Sequence, residues 1–467
     1  MKAQMNADKP SRIPCRRPSA LSTLFLCVLA GCAVGPDYKR PEAATPEKYK
    51  EAGDWIVARP NDTAPRGKWW EAFHDPVLDD LEEQVNVSNQ NVAAAEARYR
   101  QAHAAVQAAR AQLFPTVGAG FGANRSRGAP NKYTLTLDAQ WEIDLWGRVR
   151  RLVEAARYAE AASQADLEGM RLSMQGELAT NYFQLRVTDA QRDLLNDTVK
   201  AFQISLDVTN NRYNAGVAAK VDVVQAQTQL LSTQAQALDL NATRATLEHA
   251  IATLIGRPSA DLSIAPAPVH LHLPIVPPGV PSTLLERRPD IAAAERNMAA
   301  ANARIGAAEA AYFPTLDLTG SVGFAGSQLH NLISAPNRFW ALGATLADTL
   351  LDFGARGAQV ETAKGQYEEQ VANYRQAVLT GFQEVEDNLA TVRWLADESK
   401  VEEQAARAAR ESVVLTVNQY KAGTVSYLNV VTVQATQLNE ERTVVTLLGR
   451  QLAATVALIR ALGGTWE

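Results

Sequence analysis

Between Tyr133 and Leu145 apolar and polar residues alternate without a break. The odd positions are Tyr133, Leu135, Leu137, Ala139, Trp141, Ile143 and Leu145; the even ones are Thr134, Thr136, Asp138, Gln140, Glu142 and Asp144. Successive side chains of an extended strand point to opposite faces, so this period gives one apolar and one polar face. A strand in a soluble sheet is about five or six residues long. One that crosses a bilayer needs about 9–11, apolar towards lipid and polar towards a lumen. Strands of soluble sandwiches alternate too, so the stretch alone leaves both readings open. Just before it, Val117, Ala119, Phe121 and Ala123 alternate with Gly118, Gly120, Gly122 and Asn124, which predicts a hairpin of two long strands.

Helical spacing surrounds this hairpin. A single helix is expected from near Val77 through the alanine-rich stretch to Leu113. It stops at Phe114-Pro115, because the residue before a proline is driven out of the α region. After Asp144-Leu145-Trp146-Gly147-Arg148 no proline occurs until Pro258, and the one clear break is Tyr213-Asn214-Ala215-Gly216. Glycine is the usual residue just past a helix C-terminus. The pattern therefore predicts a helix of about 65 residues, roughly 100 Å at 1.5 Å per residue, a sharp turn at Gly216, and a partner from Val221 to Ile255.

The programme then repeats. Phe313-Pro314-Thr315 follows Phe114-Pro115-Thr116 at an interval of 199 residues. Phe353-Gly354 follows Trp146-Gly147 at 207, as Tyr420-Lys421-Ala422-Gly423 follows Tyr213 to Gly216, and Gly463 follows Gly256. The eight extra residues lie inside the second hairpin, and an exposed loop from Gly326 to Pro336 is expected to take them at least cost. Alternation returns at Leu316, Leu318, Val322 and Phe324, and again at Trp340, Leu342, Ala344, Leu346 and Leu350. The expected organisation is a leader (1–31), a Pro-rich tether (32–76), a first repeat (77–257), a Pro-rich linker (258–284) and a second repeat (285–467).

Four strands cannot close a barrel. Open sheet edges are not viable in hydrocarbon, and the smallest single-chain bacterial barrels use eight strands. Two copies would give a filled lumen and three a channel. Phe114, Trp146, Phe313 and Phe353 mark the four strand–helix junctions, where an aromatic girdle belongs at a membrane interface. Taken singly, each could equally be a core aromatic.

Composition and charge narrow the class. The 467 residues carry a net charge of −5 and a pI near 5.8, which argues against a nucleic-acid partner. Lys9, Arg12, Arg16 and Arg17 precede the apolar run Leu21 to Ala30, an export leader too short to span a bilayer as a stable helix. Leu29-Ala30-Gly31-Cys32 resembles a bacterial lipobox, with Cys32 as the acylated mature N-terminus. Cleavage there removes Lys2, Asp8, Lys9, Arg12, Arg16 and Arg17, taking the net charge to −9 and leaving one of three cysteines. No intrachain disulfide is then expected, and several acyl chains on Cys32 would anchor the chain firmly to the outer-membrane lipid. Ala33, rather than an aspartate, fits onward sorting to the outer membrane.

Further motifs extend the resemblance: Val34-Gly35-Pro36-Asp37-Tyr38, Ile143-Asp144-Leu145-Trp146-Gly147-Arg148, Leu285-Glu286-Arg287-Arg288-Pro289-Asp290-Ile291, and Phe382-Gln383-Glu384-Val385-Glu386-Asp387-Asn388-Leu389. With the lipobox they make the chain resemble the outer-membrane lipoproteins of tripartite efflux systems of the resistance-nodulation-division type, the NodT-like branch of the TolC-like family. The resemblance covers essentially the whole mature chain. It implies a mainly α, tandem-duplicated fold whose homotrimer shares a twelve-stranded membrane β-barrel, four strands per protomer, above a long α-helical periplasmic tunnel. The implied partners are a periplasmic adaptor and an inner-membrane proton-driven transporter.

The family closes its tunnel at the periplasmic helix tips. By that resemblance Tyr420 matches a gate tyrosine and Leu428 a constricting leucine. An arginine commonly precedes the tyrosine, where this chain has Gln419, and a carboxylate commonly lies four residues past the leucine, where it has Thr432. The first repeat keeps Arg212-Tyr213 and supplies Asp222, whose counterpart is Asn429. The closed state is therefore expected to rely on packing and hydrogen bonds from Tyr420 and Leu428 rather than on salt bridges within the second repeat. The plain alternative is that Tyr213 and Tyr420 only pack their turns, which end at Gly216 and Gly423.

Nothing in the sequence has the spacing of a catalytic or cofactor site, so no enzyme activity, cofactor or metal is expected. His270-Leu271-His272 has no carboxylate or cysteine beside it, and His74, His103, His249 and His330 stand isolated in sequence. Two rival readings are a duct for type I protein secretion, against which the lipobox weighs, and a non-channel lipoprotein scaffold, which leaves the four strands unexplained.

Overall fold

Proline and glycine punctuate the elements where the sequence places them. A computed structural model describes residues 33–42, 46, 49–51, 67–267, 273–274, 276 and 287–464. A short 3-10 turn, Trp69–Phe73, precedes α1 (Pro76–Ser88), which Asp75 caps by accepting from the Val77 and Leu78 amides at 2.9 and 3.3 Å. Then come α2 (Gln90–Ala111), β1 (Thr116–Asn124), β2 (Lys132–Ile143), α3 (Arg148–Asn214) and α4 (Lys220–Leu254). The second half repeats the series as α5 (Pro289–Ala310), β3 (Thr315–Gly326), β4 (Arg338–Ala347), α6 (Ala355–Lys421) and α7 (Tyr427–Ala461). Both long helices have 67 residues and both partners 35.

Three expectations need correction. The single helix from Val77 to Leu113 is two helices, because Asn89 leaves the helical region at φ −66°, ψ 125°. Its Oδ1 accepts from the Asn91 and Val92 amides and its Nδ2 donates to the Leu254 carbonyl at 2.7 Å, so one side chain starts α2 and closes α4. The eight extra residues are not all in the second hairpin's loop. That loop, with short turns at Leu329–Asn331 and Ala335–Asn337, takes only part of them, since β3 is longer than β1 and the link from β4 to α6 is longer than that from β2 to α3. The strands also stop short of the alternation: β2 ends at Ile143 and β4 at Ala347, so Leu145 and Leu350 lie outside them.

The chain divides into two compact units. The first comprises residues 1–39, 105–157 and 299–367 and holds the sheet, an antiparallel meander in the order β1-β2-β3-β4. Directly paired residues share a face, so the register Glu142–Asp317, Gln140–Thr319, Asp138–Ser321 gathers the polar positions on one side. Trp141–Leu318, Leu137–Val322 and Leu135–Phe324 gather the apolar ones on the other. Glu142 and Asp317 are like charges directly opposite each other, and Arg148 offsets them through two hydrogen bonds to Glu142, at 3.0 and 2.6 Å.

The segment after Cys32 is seated in this first unit. The Val34 amide donates to the Trp146 carbonyl at 3.0 Å, and Arg151 donates to the carbonyls of Val34 and Gly35 and to the Asp37 carboxylate. Asn302 donates to the Pro36 carbonyl at 2.9 Å. Gly35 has φ +98°, and a Cβ there would lie 2.3 Å from Cα of Gly306, so two glycines let the backbones touch.

The second unit comprises residues 40–104, 158–298 and 368–467 and is helical. Its buried centre includes Phe73 against Phe183 (ring centroids 4.8 Å apart) and Tyr182, whose hydroxyl donates to Asp75 at 2.6 Å. The tether continues along α6: Arg40 donates to the Tyr374 hydroxyl, Tyr49 meets Phe382 edge-on, and the amides of Lys50 and Glu51 donate to Glu386.

Candidate functional site

Two groups of expected site residues are built in different ways. At the strand–helix junctions of the first unit, Phe114 and Phe313 occupy the turns that lead into β1 and β3, and Trp146 and Phe353 the turns that leave β2 and β4. Trp146 stacks on Phe313 with centroids 4.8 Å apart and planes 25° apart, and its indole N–H donates to the Pro314 carbonyl at 2.8 Å. Phe114 and Phe353 remain 67% and 97% exposed, and Phe353 is held at φ +52°. The four junctions are therefore alike in sequence but not in surroundings: one pair is joined within the chain and the other stands open.

The second group lies at the helix turns of the second unit. Gly216 and Gly423 both take φ +76°, each turn closes on the same pair of hydrogen bonds, and the chain reverses from α3 into α4 and from α6 into α7. Tyr420 is buried. Its ring lies 5.3 Å from that of Tyr427, within a cluster completed by Ala226 and Val430. On Tyr420 sits Arg212 from the other turn, with Cζ 4.7 Å from the ring centroid and Nη1 donating to the Lys421 carbonyl at 3.5 Å. Tyr427 shares a hydrogen bond of 3.0 Å with Ser205. Burial pushes the Tyr427 hydroxyl above its ordinary pKa; Tyr420 and Asp222 push it the same way, while Ser205 and Thr209 oppose them.

The expected hydrogen bond from Tyr420 is not made. Its hydroxyl is buried without a partner among the described residues, because the ring faces Arg212 and Tyr427 and no acceptor or donor reaches its tip. Leu428 is 55% exposed and stands outside the cluster. Tyr213 is also exposed, with Lys220 Nζ 5.3 Å from its ring centroid. Asp222 is half-buried near Tyr427.

Sequence reasoning passed over Tyr427 and Lys220, although a signal was there. They occupy the same place, seven residues past the tyrosine in each turn, and differ completely in character. His103 is not isolated: its Nδ1 lies 2.6 Å from Glu160. Cys32 and the His270-Leu271-His272 stretch lie outside the described residues. Among the described residues no three His, Cys, Asp or Glu side chains converge as a metal site would require.

A duplicated body of paired long helices joined to a two-faced, open-edged sheet defines a class, and comparison with known proteins identifies it. Residues 81–257 and 280–464 match the outer membrane efflux protein family, and the chain belongs to that family. Among its relatives are the probable efflux pump outer membrane protein TtgC of Pseudomonas putida, 29% identical over 94% of each chain. The pyoverdine export outer membrane protein OpmQ of Pseudomonas aeruginosa is 30% identical over 96% of this chain and 97% of its own. The solved outer-membrane channel OprN superposes with a TM-score of 0.85 at 30% identity, over 93% of this chain and all of that one. The open state of the Neisseria gonorrhoeae MtrE outer membrane channel does so at 0.83 and 27%, over 92% and 98%. The fold is thus that of the TolC-like outer-membrane channels, and the protein is an outer-membrane efflux duct.

Proposed function

We propose that three copies of this chain form the outer-membrane exit of a tripartite pump, conducting small molecules passively from a periplasmic adaptor and a proton-driven inner-membrane transporter. The sheet carries this reading. It has one apolar face, one polar face lined by Thr136, Asp138, Gln140 and Thr319, and an unpaired edge on each side. A barrel shared by several copies satisfies the edges, turns the apolar face to lipid and leaves a polar lumen. The cargo is a small toxic compound. Relatives named for toluene efflux and for pyoverdine export share this body, which fits a duct that does not choose what it carries. Cys32 carries the lipid anchor in this scheme, and Ala33 to Asp37 hold the anchored end against the first unit.

The duct is gated at the helix tips by Tyr420, clamped between Arg212 and Tyr427, with Leu428 and Tyr213 on the exposed side and Asp222 beside Tyr427. A cation over an aromatic ring contributes about 0.5–2 kcal/mol, depending on how dry the site is. It takes the place of the ionic lock that Gln419 and Thr432 cannot make within the second repeat. Single-channel recording of the purified protein in planar bilayers tests both parts. The unmodified protein should show small, rarely open conductance, and Tyr420→Ala should raise it sharply. Unchanged conductance in the variant would sink the gate, and no channel in either protein would sink the duct.

A further inference from the structure

Charge is divided along the sheet. At its junction end the charges are matched: Arg148 pairs with Glu142, Arg150 with Asp144, and Arg356 with Asp348 and Asp352. The hairpin-tip end carries Arg125, Arg127, Lys132 and Arg338, and no Asp or Glu occurs in residues 116–137 or 318–347. All four cations are exposed, and none has an ion-pair partner among the described residues. In a chain of net charge −5, cations gathered unmatched at one end point to a counter-charge outside the chain.

We propose that Arg338, with Arg125 and Arg127, binds the phosphate groups of lipids whose acyl chains cover the apolar face of the sheet. The inference rests on the barrel reading, since it needs that face to meet lipid, and it adds which lipid chemistry the protein holds.

The placement of Arg338 carries it furthest. Arg338 pairs with Phe324 and shares its face with Trp340 and Leu342, which are 73% and 79% exposed. It is the charge that caps the apolar face at the tip end. Strand β4 has ten residues, Arg338–Ala347. At about 3.4 Å per residue and a tilt of about 40°, ten residues rise roughly 25 Å, the height of the lipid-facing band of a membrane barrel. With the aromatic junctions at one interface, Arg338 therefore stands at the other, at headgroup depth. A guanidinium presents two parallel donors to two phosphate oxygens, which a lysine cannot do, and three of the four cations are arginines. The loops are held by bonds that leave these side chains available. The Ala129 amide donates to the Ser126 carbonyl at 3.2 Å, and Asn337 Nδ2 donates to the Asn331 carbonyl at 2.8 Å. The second loop also exposes Leu329 and Ile333, apolar side chains suited to the boundary between headgroup and acyl chain. Lys132 differs in position: it alternates with Tyr133 and so falls on the polar face with Thr134 and Thr136.

The test uses the full-length lipoprotein purified in detergent and loaded with lipid A, a glycolipid bearing two phosphates, or with its dephosphorylated form. Lipid retained per chain is measured after washing. The unmodified protein should keep the phosphorylated lipid and little of the other, and should release it as salt is raised. One cation beside an anionic membrane surface strengthens binding about five-fold. Arg125→Gln, Arg127→Gln and Arg338→Gln together should therefore lower retention at least five-fold, whereas Lys132→Gln should leave it unchanged. Equal retention by the triple variant overturns the site, and an equal loss in Lys132→Gln reduces it to bulk charge and overturns it too. Retention of both lipids alike would mean acyl packing without phosphate recognition. Displacement of the lipid by millimolar inorganic phosphate would make the site one for a free anion, and either result sinks the proposal. Planar-bilayer recording of the same preparations separates the two readings. Channels in both proteins with equal lipid retention sink the lipid site alone, and no channel in the unmodified protein sinks the barrel beneath it.

Discussion

The turn at Tyr213 and the turn at Tyr420 share one backbone and differ in what surrounds the tyrosine. Both end on a glycine at φ +76°, both follow a 67-residue helix, and both feed a 35-residue one. Yet Tyr213 is exposed beside Lys220, while Tyr420 is buried between Arg212 and Tyr427. The difference follows from two exchanges between the repeats. Lys220 stands where Tyr427 does, and Arg212 where Gln419 does. A lysine keeps its head in water and leaves the ring above it wet. A tyrosine in the same place offers a second ring, and the arginine of the first turn then caps the pair from outside. The two repeats share one turn backbone, and the exchanges at two positions leave one tyrosine exposed and bury the other between two side chains.

Exchanging those positions should undo the comparison most completely. Tyr427→Lys removes a buried ring, which costs about 3–5 kcal/mol, and sets a second cation under Tyr420. Hydrogen exchange around Tyr420 should then accelerate to the rate seen around Tyr213, while Lys220→Tyr leaves the Tyr420 turn as protected as before. A Tyr420 turn that stays protected in Tyr427→Lys would show that the ring pair does not hold it.

The glycines should sharpen the contrast by showing none. A Cβ at Gly216 or at Gly423 meets nothing within 4 Å, so Gly216→Ala and Gly423→Ala carry only the backbone penalty. That penalty is roughly 1–2 kcal/mol in the left-handed region, the same for both turns. Unequal losses in local exchange protection would mean that the two backbones are held differently after all.

The smallest effect concerns pH. The folded state holds the Tyr427 proton more tightly than the unfolded chain does, chiefly because the ring is buried. The contribution is fully present below the ordinary tyrosine value near 10 and declines as pH rises above it. Tyr427→Phe should therefore flatten the alkaline loss of protection at this turn, whereas Tyr213→Phe should not. Equal slopes in the two variants would remove Tyr427 as the cause.

Most of the fold was legible because its punctuation is local. Proline before each first strand, glycine after each long helix, and period-two alternation between them are properties of adjacent residues, and their recurrence exposed the duplication. What was not legible depends on partners far along the chain. Asn89 reads as a tolerable helix residue until its amide meets the Leu254 carbonyl, 165 residues away. The position of Tyr420 followed from a motif, but its surroundings did not, since Arg212 comes from the other repeat and Leu428 is left exposed. The pairing of His103 with Glu160 was invisible for the same reason. Strand ends were misplaced because the alternation runs on past the last paired residues, Ile143 opposite Leu316 and Ala347 opposite Thr315.

The two free edges have a genetic consequence. They are unlike, one offered by β1 and the other by β4, so in the shared barrel proposed above copies would join head to tail and each subunit would take part in two seams of the ring. A subunit folded soundly but blocked at either edge would still enter such a ring through its good edge and leave it unclosed. In a cell making sound and blocked copies in equal amounts, only roughly one trimer in eight would be wholly sound, by random choice of three members of a closed ring. Edge variants should therefore be dominant over the wild-type gene, whereas substitutions at the Tyr213 turn should be recessive or silent.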